Sequence, residues 1–513
     1  MDRSYLVLRE TTTVTYHFQI IPAASLQLLS RHQVNRSTQV KEDSYAFRTI
    51  WRCVGCPIQS RILETNVRYI KTAAAIGQVR AENKLIQERV EAMLADIEKR
   101  REQAVIDYAR RLDGWEGDFV LSASKREALI SEVPDGLRED ICFAHNQVVR
   151  FAQAQRNSLT EFEIETEPGV RLGQRVVSIA AAGCYVPGGR YAHAASAIMS
   201  VATAKVAGVS GIVASSPPRG SSINSAVAYA MDLSGADIIL EMGGVQAVAT
   251  MAYGLFGCPQ ADIIVGPGNA YVAEAKRILF GQVGIDVFAG PTESAIIADG
   301  SADPMTIAVD LVSQAEHGPN SPVWLFTTSE RLGHAVAELM PQVAADMPNA
   351  DVVIAAWRDH GVVILCESRD EVVKISDQYS PEHVQVLAED PSWWRDNLSN
   401  YGSLFLGEGS TVSHGDKCSG TNHILPTKGA GRYSGGLNVQ KFLKVLTYQE
   451  LSPQANKVFS AVGSRISRAE GMEGHARACD WRLRKYYPDT CWDFDVYEQR
   501  NYASSAGDSR GKL

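Results

Sequence analysis

Between residues 81 and 112 the chain is densely charged, yet Val90, Met93, Leu94 and Ile97 recur at helical spacing, which predicts a surface helix with one face on the body. Ser124-Lys-Arg-Glu127 has the form of a capping box and opens a further helix. After Val176 the pattern changes, and short β-rich apolar runs alternate with helical ones. Strands are predicted at 176–180, 211–214, 236–240 and 261–265, with helices over 194–208, 245–253 and from Asn269 to Phe280. That alternation describes a parallel α/β sheet. A second set follows, with strands at 294–298, 322–327 and 361–366 and helices over 305–317 and 329–339. Past Gly436 the expectation is helical, 443–447 and Leu451 leading into a helix over 455–470.

The length of 513 residues allows two to four domains, and 45% hydrophobic with 21% charged residues is ordinary for a globular protein. Net charge is 50 − 59 = −9 and no long basic run occurs, which argues against a nucleic-acid partner. An odd count of nine cysteines does not describe a disulfide framework. Cys53-Val-Gly-Cys56 is a lone C-x-x-C pair without the second pair or histidines of a zinc site. With no apolar run near the ~18 residues of a membrane helix, a cytoplasmic protein is expected. Residues 1–75 differ in composition from the rest. From Thr11 to Val40 there is no acid, and Arg31 and Arg36 stand among serines, threonines and glutamines. This is transit-peptide-like in composition only, and a simple N-terminal extension is expected.

Four segments bear chemistry. Ser313-Gln-Ala-Glu-His-Gly318 places Gln314 and His317 on one face at the end of an apolar helix, where the dipole favours a cation and Gly318-Pro319 stops the helix. Ser380-Pro-Glu-His-Val384 sets an acid beside an imidazole, Glu382 and His383; its Ser-Pro-Glu also has the form of a helix start. His414-Gly-Asp-Lys-Cys-Ser-Gly-Thr-Asn-His423 offers Asp416 and a second imidazole. Glu470-Gly-Met-Glu-Gly-His475 adds another acid and another imidazole.

In this order, the segments resemble the histidinol dehydrogenase family, from about residue 80 to about residue 490. The resemblance implies two Rossmann-like parallel-sheet domains, a helical N-terminal part and a helical, dimer-forming C-terminal tail. In these terms 1–75 is an extension outside the family, and 76–185 is the helical part with the start of the first α/β domain. Residues 186–293 form the cofactor domain, and 294–436 complete the first α/β domain with the zinc and catalytic residues. Residues 437–500 are the dimerisation tail of a homodimer, and 501–513 a flexible tail. The family's zinc ligands match Gln314, His317, Asp416 and His475, a donor set that leaves a net positive centre. His383 would move the proton of a primary alcohol and Glu382 would activate water against the aldehyde, a four-electron oxidation reducing two NAD. Tyr185, Gln246 and Asn269 stand at NAD-contacting positions in Gly183-Cys-Tyr-Val-Pro-Gly-Gly189, Gly243-Gly-Val-Gln246 and Gly266-Pro-Gly-Asn269. No G-x-G-x-x-G follows the first strand. Substrate contacts match His423 and Glu470, with Thr292 where the family carries serine.

The segment 425–436, Lys441-Phe-Leu-Lys444 and Gly474-His-Ala-Arg-Ala-Cys-Asp480 look more like the sulfopropanediol dehydrogenase branch than like biosynthetic histidinol dehydrogenases. Lys417 and Arg477 flank two of the expected ligands, and their charge would attract a sulfonate or carboxylate and repel cationic histidinol, which favours an anionic or neutral hydroxylated substrate. The competing readings are an L-histidinol dehydrogenase, a catalytically silent binding relative, and a thiol-dependent aldehyde dehydrogenase with Cys418 as nucleophile.

Overall fold

The computed structural model describes residues 67–74, 79–188, 192–287 and 290–492, with a separate N-terminal hairpin of Tyr5–Arg9 and His17–Ile21. The chain divides into one unit at Met1–Val54 and another at Gly55–Leu513. Cys53, Cys56, Arg31, Arg36 and residues 501–513 lie outside the described residues.

Two parallel sheets form the larger unit. The first runs, edge to edge, Gly284–Ile285, Ile263–Val265, Ala181–Tyr185, Gly211–Ser216, Ile238–Glu241, so its strands lie 5-4-1-2-3 in sequence order. The second repeats that order with Ser403–Leu406, His383–Leu387, Ser294–Ala298, Val323–Thr327 and Val362–Leu365, and adds an antiparallel edge strand, Arg68–Lys71. This is a doubly wound order, which leaves a crevice at the carboxyl ends of strands 1 and 4.

Burial on both faces explains why the strands read as continuous apolar runs. Ala182, Cys184, Ile212 and Ala214 face one core with the helices Ala194–Ala207 and Ser225–Ser234. The alternate residues Tyr185, Val213 and Leu240 face another with Val79–Arg100, Gly244–Tyr253 and Ala270–Leu279. The second sheet divides likewise: Ile296, Leu325 and Leu387 pack on the helix Pro304–Ala315, whereas Ile297, Phe326 and Val386 pack on Arg369–Tyr379.

Several expectations are corrected. The run at 176–180 belongs to an antiparallel strand, Val170–Ser178, and the first parallel strand starts at Ala181. Leu443–Leu451 is a strand of that same antiparallel sheet and not a helical lead-in. Its residues are mostly exposed, so the alternation that would have marked it is weak. Ser122, not Ser124, caps the helix Ala123–Ser131 by accepting from the Lys125 amide. The segment at Ser380 is the reverse of a helix start. Ser380 closes Arg369–Tyr379 at φ 48°, and Glu382 and His383 enter a strand.

The C-terminal helices Pro453–Ala469 and Glu473–Tyr486 pack on each other, tied by Arg468 to Asp480 at 2.6 Å. Val458, Phe459, Val462 and Ile466 line one exposed stripe on the first of them.

Candidate active site

The strands of the second sheet set the reactive pair. Ser294 lies opposite His383 in register, so Glu293 and Glu382 meet just ahead of their strands. The Glu293 amide donates to Glu382 Oε2 at 3.0 Å, and its carbonyl accepts from the His383 amide at 3.1 Å. His383 Nδ1 stands 3.4 Å from the same carbonyl, which assigns a proton to Nδ1 and turns Nε2 towards Asp416. On the other side of this strand Gly402 approaches closely, since a Cβ there would meet the Glu382 carbonyl at 2.4 Å.

Around His383 gather the groups of three other segments. Asp416 Oδ1 lies 3.5 Å from His383 Nε2, and Asp416 Oδ2 lies 4.0 Å from His317 Nε2. His423 Nδ1 is 2.9 Å from the Asp416 carbonyl and its Nε2 is 2.8 Å from Ser196 Oγ. These side chains line a cavity of about 320 Å³ that also takes in Thr292, Asn269 and Lys417. A second cavity of about 710 Å³, with Lys84, Arg277 and Lys428 on its wall, shares Asn269 and His317 with it.

Electrostatics at this site follow from burial. Burial pushes Glu382 up to about 8, against the opposing pull of His383. It pushes the His317 ring down to about 4, Asp416 opposing, and so keeps that imidazole neutral. For Asp416 burial is overcome by His383, His423 and His317, which hold the carboxyl well below the usual carboxylate range. In His383 burial is likewise outweighed, and Glu382 and Asp416 raise the ring.

The residues on one chain fit part of a zinc site. Gln314 is buried and its Oε1 has no hydrogen-bond partner, and neither has His383 Nε2. His383 Nε2 and an Asp416 oxygen face each other at 3.5 Å, an arrangement that asks for a proton or a cation between them. Gln314, His317 and Asp416 supply an amide oxygen, an imidazole and a carboxylate. Among the described residues, no three His, Cys, Asp or Glu side chains form a metal cluster. One donor of the expected set is an amide, and the expected fourth ligand is elsewhere: His475 is exposed on the C-terminal helical hairpin. Glu470 and Arg477 sit there too, Arg477 paired with Glu473 at 3.0 Å. None of the three reaches the cavity of its own chain. Lys417 does.

Of the expected cofactor residues, Asn269 lines both cavities and caps Ala270–Leu279 by accepting from Tyr271 and Val272. Tyr185 and Gln246 are buried: the Tyr185 hydroxyl accepts from Gly244 at 3.2 Å and Gln246 donates to Asp113 at 2.6 Å. Gly266 has φ 112°, and a Cβ there would meet the Tyr185 carbonyl at 1.9 Å, so the Gly266–Asn269 turn lies against strand 1 at the crevice. A helix N-terminus at that place is a natural dinucleotide phosphate site. Cys418 packs against the apolar core and is not among the cavity residues.

The chain matches the family description "Histidinol dehydrogenase" over residues 78–483. It belongs to that family. Sulfopropanediol 3-dehydrogenase of Ruegeria pomeroyi is 54% identical over 430 residues, covering 83% of this chain and 98% of that protein. Histidinol dehydrogenase of Thermus thermophilus is 38% identical over 397 residues, with 77% and 94% covered. Among solved structures, histidinol dehydrogenase from Elizabethkingia anophelis matches with a TM-score of 0.74 and 31% identity, over 80% of this chain and 97% of that one. This histidinol dehydrogenase family member is thus an α/β oxidoreductase.

Sequence reasoning passed over Glu293, which is 4% exposed and pushed by burial up to about 7. An acid abutting the wholly buried strand Ser294–Ala298 was the available signal. One Glu293 oxygen accepts from the Lys428 amide at 2.9 Å and the other has no partner. An unfolded glutamate titrates near ~4.3. Between there and about 7 the folded chain keeps a proton that the unfolded chain releases, so stability falls as pH rises through that window. Glu293→Gln stays neutral. Its stability relative to wild type is expected to improve from pH 4.5 to 7 by on the order of 2 kcal/mol and then level off, as read from melts across pH.

Proposed function

We propose that this protein is a zinc- and NAD-dependent dehydrogenase that oxidises a small anionic primary alcohol, of the sulfopropanediol kind, through an aldehyde to a carboxylate. The observation that carries the reading is Lys417, whose side chain lines the catalytic cavity next to Asp416. A fixed positive charge there favours a sulfonate or carboxylate and repels the ammonium and imidazolium groups of histidinol. The likeness to a sulfopropanediol 3-dehydrogenase supports the same choice.

Zinc on Gln314, His317 and Asp416 would polarise the substrate oxygen, and NAD at the Gly266–Asn269 turn would accept hydride. His383 Nε2 takes the hydroxyl proton, its ring held by the Glu293 carbonyl. Glu382, buried and poised near neutrality, draws the proton from the water that attacks the aldehyde. Ser196 and the Asp416 carbonyl hold the two nitrogens of the His423 ring in the cavity wall.

The two sheets are read as two Rossmann-like domains of each chain, and the chain as one subunit of a cytoplasmic homodimer. The exposed stripe Val458–Phe459–Val462–Ile466 supports dimerisation, since solvated surfaces rarely carry one. A second copy would bring His475 and Glu470 to the open side of the site.

NADH formation by zinc-loaded protein, with 2,3-dihydroxypropane-1-sulfonate and L-histidinol compared, tests the reading. Turnover of the sulfonate with two NADH per substrate supports it, and turnover of histidinol alone sinks it. Lys417→Ala is expected to raise KM for the sulfonate about tenfold with kcat little changed, the mark of lost uniform binding.

A further inference from the structure

The helix Pro304–Ala315 carries one charged residue, Asp310 in its middle, one turn before Gln314 and two before His317. Its carboxylate is half-buried and each oxygen takes one donor from a different element. Gln385 Nε2 donates to Oδ2 at 2.7 Å, and Thr411 Oγ1 donates to Oδ1 at 2.9 Å. Gln385 is wholly buried and lies two residues beyond His383, hence on the same face of its strand. Its amide oxygen has no partner, so the bond to Asp310 is what satisfies this side chain. Thr411 immediately precedes the short helix Val412–Lys417 that carries Asp416. It stands at the N-cap position, yet its hydroxyl makes no capping bond to its own helix and donates to Asp310 instead.

We propose that Asp310 is a positioning residue that fixes Gln314 and His317, Asp416 and His383 in one frame, and thereby sets the affinity for zinc. Three elements distant in sequence converge on one carboxylate, outside the cavity and out of reach of substrate. Metal ligands tolerate displacements of only ~0.2 Å, and groups that orient ligands typically govern about 10- to 100-fold in metal affinity. The inference rests on the zinc reading above.

The test is zinc titration of the full-length protein against a chromophoric chelator, with melts of the metal-free protein alongside. Asp310→Ala is expected to raise the zinc dissociation constant about 10- to 100-fold. Thr411→Val, which removes one donor from a half-buried site, is expected to raise it about tenfold with the metal-free Tm unchanged. The double variant should bind like Asp310→Ala alone, because both changes break the same contact. Wild-type uptake of zinc with both single variants binding equally well would overturn the inference and leave the zinc site standing. So would a loss that follows the metal-free Tm, or one that is additive in the double variant. A wild-type protein that takes up no zinc overturns the zinc reading and this inference together.

Discussion

Glu382→Gln is expected to lower the rate of carboxylate formation about 10²- to 10⁴-fold while sparing the first oxidation. The substitution keeps the shape of the side chain and an oxygen to accept from the Glu293 amide, so the fold and the orientation of the group survive. What it removes is the capacity to take a proton from water. NADH yield should fall from two per substrate towards one, with aldehyde captured by a carbonyl reagent such as semicarbazide. In the wild type, the ionised share of Glu382 grows as pH rises towards 8, so acid formation should climb with pH and level above that value. Equal loss of both oxidations would remove the division of labour between Glu382 and His383.

The largest stability effect is expected at Lys276 and Asp286, which are 2% exposed each and form a salt bridge within the cofactor half. Lys276 Nζ also donates to the Gly266 carbonyl at 2.9 Å, and Asp286 accepts from the Gly266 amide at 2.7 Å and the Val287 amide at 2.7 Å. The pair therefore clamps the amide and the carbonyl of one residue, Gly266, at the start of the Gly266–Asn269 turn. Lys276→Met leaves a carboxylate buried without its counter-charge, and a loss of about 3–5 kcal/mol follows from chemical denaturation. Replacing both partners with apolar residues should cost less than either single change, because no charge is then stranded. NAD affinity should fall in all three variants, since the turn loses its clamp.

Much of the fold was legible because the parallel strands are buried on both faces and read as apolar runs bounded by glycine turns. Legibility failed where that condition fails. Leu443–Leu451 is a strand with most residues in solvent, and its period-two signal is faint. Ser380-Pro-Glu was read as a helix start because Ser-Pro-Glu is a frequent one; that Ser380 instead takes φ 48° at a helix end depends on the chain turning into a strand beside Ser294. At the site, His317, Glu382, His383, Asp416 and His423 announced themselves as reactive side chains in short motifs, and they line one cavity, with Gln314 buried one helical turn before His317. Glu293 and Asp310 did not, since their roles are exerted through backbone contacts and through partners about 75 to 135 residues away. His475, Glu470 and Arg477 belong to the motif order but stand on a surface that no residue of the same body covers.

The catalytic pair lies at the amino ends of the second sheet's strands, whereas the crevice of the first sheet opens at carboxyl ends. The second sheet has a crevice of its own at its carboxyl edge, a cavity of about 270 Å³ between Ser301, Asp303, Thr306, Glu389 and Glu408. Five residues of strand, roughly 17 Å, separate it from Glu293 and His383. Duplicated architecture has thus left a spare edge that chemistry does not occupy. For an engineer this is the place to graft a peptide, a fluorophore or a tether to a surface: the loops at 300–302 and 388–390 can be rebuilt while Asp303 still caps the helix that carries Asp310.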